Sequence, residues 1–190
     1  MLDKSVPYVR IIMIRKAGAP IPRCALPEGY RFAPYAEGDE RAWARIEASV
    51  LEFDSEGAAL ERFRKDYMTE PEQLRRRCIF VESPAGEKVA TATAWWRIVN
   101  GRRRPWVHWV GVRSDHQGLG LGKAICAELT ALMARLEGDV DIWLKTQTWS
   151  RKAVGIYRRL GFELTDEKEL YDDYGLSYED ARRAFGEMGE

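Results

Sequence analysis

The sequence of 190 residues has few of the features that mark disulfide-rich, zinc-binding, secreted or membrane-spanning proteins. Its three cysteines, Cys24, Cys78 and Cys126, are far apart and form no CxxC or Cys/His spacing, so neither a disulfide framework nor a metal site is predicted. No apolar run reaches the roughly 18 residues that a membrane-spanning helix needs. The segment 1–15 is too charged for a secretion signal. We therefore expect a cytoplasmic protein without metal or membrane partner.

An excess of either charge is also missing, because 30 Lys and Arg face 30 Asp and Glu. This balance lacks the overall positive charge of a nucleic-acid-binding protein, so no nucleic-acid partner is expected. The run Arg102–Arg104 is interpreted as an exposed hairpin tip. Composition and length are typical of one globular domain over 1–190, comprising a strand and linker (1–28), a core (29–166) and a final turn and helix (167–190).

Hydrophobic patterning predicts a mixed α/β or α+β fold. Two strands are expected first, at Tyr8–Arg15 and near Tyr30–Tyr35. Two amphipathic helices follow, the first capped by Asp39 and the second by Ser55. Pro71 then interrupts the helical pattern. Apolar runs separated by turn residues then predict an antiparallel meander at Cys78–Val81, Val89–Val99 and Trp106–Val112.

The second half of the chain alternates helices and strands. A long helix is expected from about Leu119 to a stop at Gly138. A strand (Val140–Thr146), a helix (Ser150–Leu160) and a strand (Gly161–Thr165) follow, which makes the predicted central sheet mixed but mostly antiparallel, with flanking helices.

The segment Val110–Lys123 combines a strand end, a glycine-rich turn and a helix N-terminus, which together suit a phosphate group. It is not a P-loop, because Gln117 stands where that motif needs glycine and Ala124 where it needs Ser or Thr. It is not a Rossmann motif either, because Lys123 replaces the third glycine. A different diphosphate-bearing ligand is therefore required.

The spacing Gln117-x-x-Gly120-x-Gly122 after a Val-x-Val strand resembles the coenzyme A pyrophosphate loop of the GNAT superfamily of acyl-CoA N-acyltransferases. A second stretch, Ser150 to Phe162, is similar to the helix that follows in that superfamily, and element order agrees over residues 29–166. The resemblance implies acetyl-CoA as cosubstrate and direct acetyl transfer, in a ternary complex, to a primary amine of a small molecule or peptide. A non-catalytic coenzyme A binding or sensing module is the alternative, and either a monomer or a homodimer is compatible.

The resemblance also implies splayed central strands, with the pantetheine arm bound to backbone at Val110 and Val112. The coenzyme contacts it implies in the loop and at the following helix are Gln117, Gly118, Leu119, Gly120, Leu121, Gly122, Lys123 and Ser150. Ser150 stands where asparagine is common in the superfamily. A final strand is missing, since Tyr171–Glu190 is expected to be an acidic turn and then a helix from Ser177. We therefore expect Val9–Ile14 at the sheet edge usually taken by that strand.

Two residues are candidates for proton transfer. The resemblance places the Tyr157 hydroxyl at the sulfur; with a reference pKa of about 10, it can protonate a leaving thiolate whose own value is about 8.5. The strand before the loop lacks the glutamate that many relatives use, and His108 is the candidate base in its place. Strand alternation puts His108 on the side of Val110 and Val112 unless a bulge intervenes. A purely structural histidine or a water chain remains open.

The acceptor amine is not identified by the sequence. Four acidic residues in the region of the two predicted helices, 39–67, could attract an ammonium group: Glu47, Glu52, Asp54 and Glu56. Five tryptophans could wall a pocket: Trp95, Trp96, Trp106, Trp109 and Trp149. A solvated face and an ordinary core remain the alternative interpretations of these two groups.

Overall fold

The computed structural model describes residues 5–173 and 175–188, without the side chain of Asp173. Its strands are β1 (Arg10–Arg15), β2 (Arg31–Pro34), β3 (Cys78–Glu82), β4 (Lys88–Val99), β5 (Arg102–Val112), β6 (Ile142–Gln147) and β7 (Phe162–Leu164). Its helices are α1 (Glu40–Ser49), α2 (Glu56–Tyr67), α3 (Pro71–Arg77), α4 (Leu121–Glu137), α5 (Arg151–Arg159), α6 (Lys168–Asp173) and α7 (Tyr178–Glu187). Two short 3₁₀ turns occupy Ser114–His116 and Thr148–Ser150.

The strands form one seven-stranded sheet in the order β2-β3-β4-β5-β6-β1-β7. The meander β3-β4-β5 is antiparallel, as its turn residues predicted. The pair β5–β6 is parallel, which makes the sheet mixed and mostly antiparallel. The predicted fold class, with helices on the flanks of such a sheet, is confirmed.

The N-terminal strand does not lie at the sheet edge, so that expectation is wrong. β1 lies between β6 and β7 and pairs with both in antiparallel fashion, with Met13 opposite Leu144 on one side and Leu164 on the other. Residues Ile11 to Ile14 are at most 2% exposed. A strand that is apolar on both faces suits an interior place, because helices cover it on both sides. The edge is taken by β7, and the described residues after β7 contain helices α6 and α7 but no strand.

Side chains of alternate strand residues separate the core into the two faces of the sheet. On β4, Ala90, Ala92 and Ala94 pack with α4 and α5, whereas Trp95 packs with α1 and α2. On β1, Ile12 and Ile14 pack with α6 and α7. We call the side of the sheet covered by α4 and α5 the α4 face, and the side covered by α1 and α2 the α1 face.

Local sequence signals explain several helix ends. Ser55 caps α2 by accepting a hydrogen bond from Ala58 N at 3.1 Å, and Gly138 ends α4 with a φ of +83°. Asp39 makes no such cap, because its carboxylate accepts from Ala36 N and pairs with Lys88 instead. Pro71 begins α3 rather than simply ending the helical pattern, since proline is favoured in the first helical turn.

Candidate active site

The two central strands separate within the sheet. Pairing between β5 and β6 covers Trp106–Val107 and Trp143–Leu144, although β5 continues to Val112. The register of β5 against β4 shifts by one residue in the same region. Trp109 there has a φ of +46°, which is unusual for a residue other than glycine. This bulge bends β5, and an opening forms between the strands.

Contacts from the α1 face hold the bulged residue in place. The Trp109 indole N–H donates to the Asp66 carboxylate at 2.8 Å, and its ring packs on Phe53 and Trp43 with centroids 5.0 and 5.9 Å apart. A left-handed conformation at such a residue costs on the order of 1–3 kcal/mol. The strained backbone is thus stabilised by side chains that are distant in sequence.

A cavity of about 340 Å³ lies between the glycine loop, the end of β5 and α5, and we call it the glycine-loop cavity. It brings together most of the residues expected to contact a coenzyme: Val110, Val112, Gln117, Gly118, Gly120, Leu121, Gly122, Lys123 and Ser150. Leu119 does not line it, and 47% of this residue is exposed.

Glycine is needed at two places in this loop. Gly118 and Gly120 have φ values of +85° and +83°, which other residues rarely adopt. In the first turn of α4, a Cβ atom on Gly122 would lie 3.3 Å from Ile156 Cδ1, so α4 passes close to α5 there. Helix α4 begins directly after Gly120 and directs unpaired backbone N–H groups toward the loop, which favours an anion.

Side chains behind the loop fix its shape. The Gln117 side-chain amide donates to the Val112 carbonyl at 3.0 Å. His116, which sequence reasoning missed, also lines the cavity. Its Nε2 lies 3.2 Å from an Arg113 nitrogen and its Nδ1 lies 3.0 Å from the Tyr30 hydroxyl.

A second cavity of about 350 Å³ opens between the separated strands, and we call it the interstrand cavity. Its inner part is lined by Glu47, His108 and Val110. Tyr157 lines both cavities. Burial, followed by the nearby Cys126, Glu47 and Glu52, raises the pKa of Tyr157 well above its usual value. The hydroxyl therefore stays protonated at neutral pH at the point where the cavities meet.

His108 lies in the interstrand cavity, but on a different face from the one expected. Its Nδ1 is 2.8 Å from the Tyr67 hydroxyl on the α1 face, whereas Val110 and Val112 pack against the α4-face core. The shared side was expected only for a strand without a bulge, and it is not observed because the bulge at Trp109 reverses the alternation. Burial lowers the pKa of His108 to about 4, and the Asp66 charge offsets only part of that effect.

Glu47 is the most unusual group in the interstrand cavity. It is fully buried on α1, and neither carboxylate oxygen has a hydrogen-bond partner in the described part of the chain. Burial and then the Glu52 charge raise the pKa of Glu47 well above its usual value. A Cβ atom on Gly111 would lie 2.7 Å from Glu47 Oε1, so a glycine in β5 makes room for it.

Only some of the acidic residues and tryptophans that the sequence suggested for the acceptor site line the interstrand cavity. Of the four acidic candidates, Glu47 and Glu52 line the interstrand cavity, whereas Asp54 and Glu56 do not. The signal for Glu47 was its position one turn after Trp43 on the apolar stripe of α1, where a charged side chain is rarely buried unless it is paired. Of the five tryptophans, Trp106 and Trp109 line this cavity.

Residues 5–173 and 175–188 hold neither a metal-binding cluster nor a candidate membrane span. No group of three or more His, Cys, Asp or Glu side chains is arranged to hold a metal ion. No helix in these ranges is both long and apolar enough to cross a membrane.

Residues 35–162 match the model of the acetyltransferase (GNAT) family. Mycothiol acetyltransferases from Pseudarthrobacter chlorophenolicus and Streptomyces coelicolor are 30% and 31% identical over 161 and 157 residues. These matches cover 82% and 80% of this chain but 49% and 48% of the relatives. The chain thus spans about half the length of the curated relatives it matches.

Solved structures show the same fold. A GCN5-related N-acetyltransferase from Sphaerobacter thermophilus superposes with a TM-score of 0.62 at 24% identity, covering 82% of this chain and 48% of that one. An acetyltransferase of the GNAT family from Colwellia psychrerythraea gives a TM-score of 0.60 at 12% identity, covering 85% of this chain and 55% of that one.

Proposed function

Because this chain belongs to the GNAT acetyltransferase family, we propose that it transfers an acetyl group from acetyl-CoA to a primary amine. The observation that carries the proposal is the meeting of two cavities at Tyr157. One cavity has the glycine loop and helix N-terminus that suit a diphosphate, and the other has acidic groups that suit an amine. A donor and an acceptor can therefore approach the same hydroxyl from opposite sides.

Acetyl-CoA fits the glycine-loop cavity in two ways. Its diphosphate would bind the backbone N–H groups from Gln117 to Lys123, with the α4 dipole adding partial positive charge. Its pantetheine arm would lie along β5 at Val110 and Val112, beyond the last residues that pair with β6. An arm with two amides suits such a strand, because backbone groups left without a ladder partner need hydrogen bonds.

The proposed reaction is direct attack of the amine on the thioester carbonyl. The new C–N bond forms, the C–S bond breaks, and the departing sulfur takes a proton from the Tyr157 hydroxyl. The raised pKa of Tyr157 keeps that proton available at neutral pH. The phenolate left behind recovers a proton from solvent or, by relay, from the amine nitrogen, which must lose one.

Two side chains of the interstrand cavity are candidates to receive the amine proton. A base works best when its pKa lies near the working pH. His108, with a pKa of about 4, is neutral but weakly basic. The pKa of Glu47 is raised instead, and its oxygens lack partners among the described residues. The unpartnered oxygens of Glu47 can accept a proton whenever the carboxyl is ionised, so Glu47 is the first candidate, and His108 is the candidate that the strand position suggested.

Thiol release from acetyl-CoA, measured over a panel of amines, amino acids, polyamines and peptides, tests this function. We expect release with at least one acceptor and its loss in Tyr157→Phe, with acetyl-CoA still raising the melting temperature of both proteins. Stabilisation by acetyl-CoA without release over the whole panel would indicate the alternative, a coenzyme A binding or sensing module. Neither stabilisation nor release would contradict both.

A further inference from the structure

We propose that the acceptor amine also carries an anionic group, a carboxylate, sulfonate or phosphate, which binds the basic outer part of the interstrand cavity. This inference rests on the proposed function and specifies its substrate class.

Four basic side chains converge on this cavity from four different elements. They are Arg10 of β1, Arg62 of α2, Arg97 of β4 and Lys145 of β6. Partial burial, and then the charges of Arg10, Arg97 and Arg62, lower the pKa of Lys145 to about 8. The charges of Arg62, Arg97 and Lys145 also act on the ring of His108. The four groups are thus near enough to act together on one ligand.

Contacts with neighbouring rings hold two of the guanidinium groups at the cavity wall. Arg62 lies over the Trp109 ring at 5.5 Å and donates from Nε to Asp66 at 2.8 Å. Arg10 lies over the Tyr8 ring at 5.8 Å, with its Nε 3.3 Å from the Tyr8 hydroxyl. Guanidinium groups that are positioned in this way bind planar or tetrahedral oxyanions well.

Carboxyl groups reach the part of the same cavity next to Tyr157, since Glu47 and Glu52 both raise the pKa of Tyr157. Glu52 also acts on the pKa of Lys145, so the buried Glu47 marks the acidic end and Glu52 faces both ends. Glu52 borders both cavities, and its Oε1 accepts a hydrogen bond from Gln147 at 3.2 Å. A ligand with an amine at one end and an anion at the other therefore matches the polarity of the cavity.

A polyamine or a lysine-rich peptide would fit this polarity poorly. Its second ammonium group would lie among Arg10, Arg62, Arg97 and Lys145, and like charges at short range repel each other. An amine without a second charge would leave the basic end without a ligand anion. We expect the preference to run from anionic to neutral to cationic amines.

Steady-state thiol release with matched short amines tests the preference. β-Alanine, taurine and O-phosphoethanolamine present the three anionic groups, propylamine and ethanolamine are the neutral counterparts, and putrescine is the cationic one. Charge-assisted hydrogen bonds predict a kcat/KM at least about tenfold higher for the best anionic amine than for its neutral counterpart. The ranking among the three anionic amines shows which oxyanion the cavity takes.

Variants show where the anion binds. Arg62→Gln and Lys145→Gln are expected to raise the KM for anionic amines about tenfold and that for neutral amines much less, with the KM for acetyl-CoA unchanged. Arg62→Lys should retain part of the affinity. Arg64→Gln, on the same helix but outside the cavity, is the matched control.

Three outcomes would overturn the inference. Release with equal kcat/KM for anionic and neutral amines overturns it while the proposed function stands. A raised KM for acetyl-CoA in Arg62→Gln or Lys145→Gln overturns it too, because the basic groups then serve the coenzyme. No release with any amine overturns the proposed function and this inference together.

Discussion

Replacing Glu47 by glutamine removes a buried carboxyl group while nearly preserving the size of the side chain. In the folded protein the pKa of Glu47 is raised well above the ordinary value of 4.5, because the charged form is desolvated and lies near Glu52. The native chain therefore binds the proton more tightly than the unfolded chain does. By linkage, the free energy of unfolding falls as pH rises through the interval between the unfolded and native pKa values.

The size of this pH dependence is set by the single proton that Glu47 binds. Within that interval Glu47 lowers the free energy of unfolding by up to about 1.4 kcal/mol per pH unit, and a glutamine cannot contribute this slope. Measured by urea denaturation at several pH values, the stability of Glu47→Gln relative to the parent should rise from pH 5 upward, at up to about 1.4 kcal/mol per pH unit. Glu163→Gln, at an exposed position of β7, is the control and should show no such rise.

The same variant is expected to be less active. If Glu47 accepts the amine proton, general-base catalysis predicts a loss in kcat/KM of about 10²–10⁴-fold in Glu47→Gln. Greater stability with lower activity is the expected combination, since a buried charge site favours chemistry at the expense of folding. Parallel stability–pH curves for the two proteins would refute the argument about burial, and unchanged kcat/KM would refute the role as base.

Three further predictions concern neighbouring residues. Tyr157→Phe should lower kcat by about 10²-fold or more while the KM for acetyl-CoA stays constant, because only the leaving sulfur loses its proton donor; equal turnover would contradict this. His108→Gln should leave the pH–rate profile unchanged if Glu47 is the base, whereas loss of an acidic limb near pH 4 would identify His108. Gly111→Ala places a Cβ 2.7 Å from Glu47 Oε1 and should destabilise the protein by about 1–3 kcal/mol in urea denaturation. Gly155→Ala, where no atom lies within 4 Å of the added Cβ, should instead be neutral or stabilising, as expected inside a helix.

Much of the fold could be predicted because its signals are local. The meander depends on turn residues between apolar runs, and Ser55 and Ser177 cap the helices that follow them. The place of β1 could not be predicted from the chain near it. It depends on β6 and β7, whose residues come more than 120 positions later.

The residues that line the glycine-loop cavity were accessible to sequence reasoning for a similar reason. Gly118, Gly120 and the first turn of α4 are consecutive, so their spacing alone specifies a backbone shape. The side of His108 was not accessible, since it depends on one extra residue in β5 relative to β4. A period-two pattern carries no mark of such a bulge.

The sequence by itself determined the order of the elements and the glycine loop, because these depend on residues close together in the chain. Only the tertiary structure decided where β5 and β6 separate, since the conformation of Trp109 is held by Asp66, Phe53 and Trp43. It also decided which carboxyl group enters the site. The burial that gives Glu47 its raised pKa exists only once α1 packs on β5.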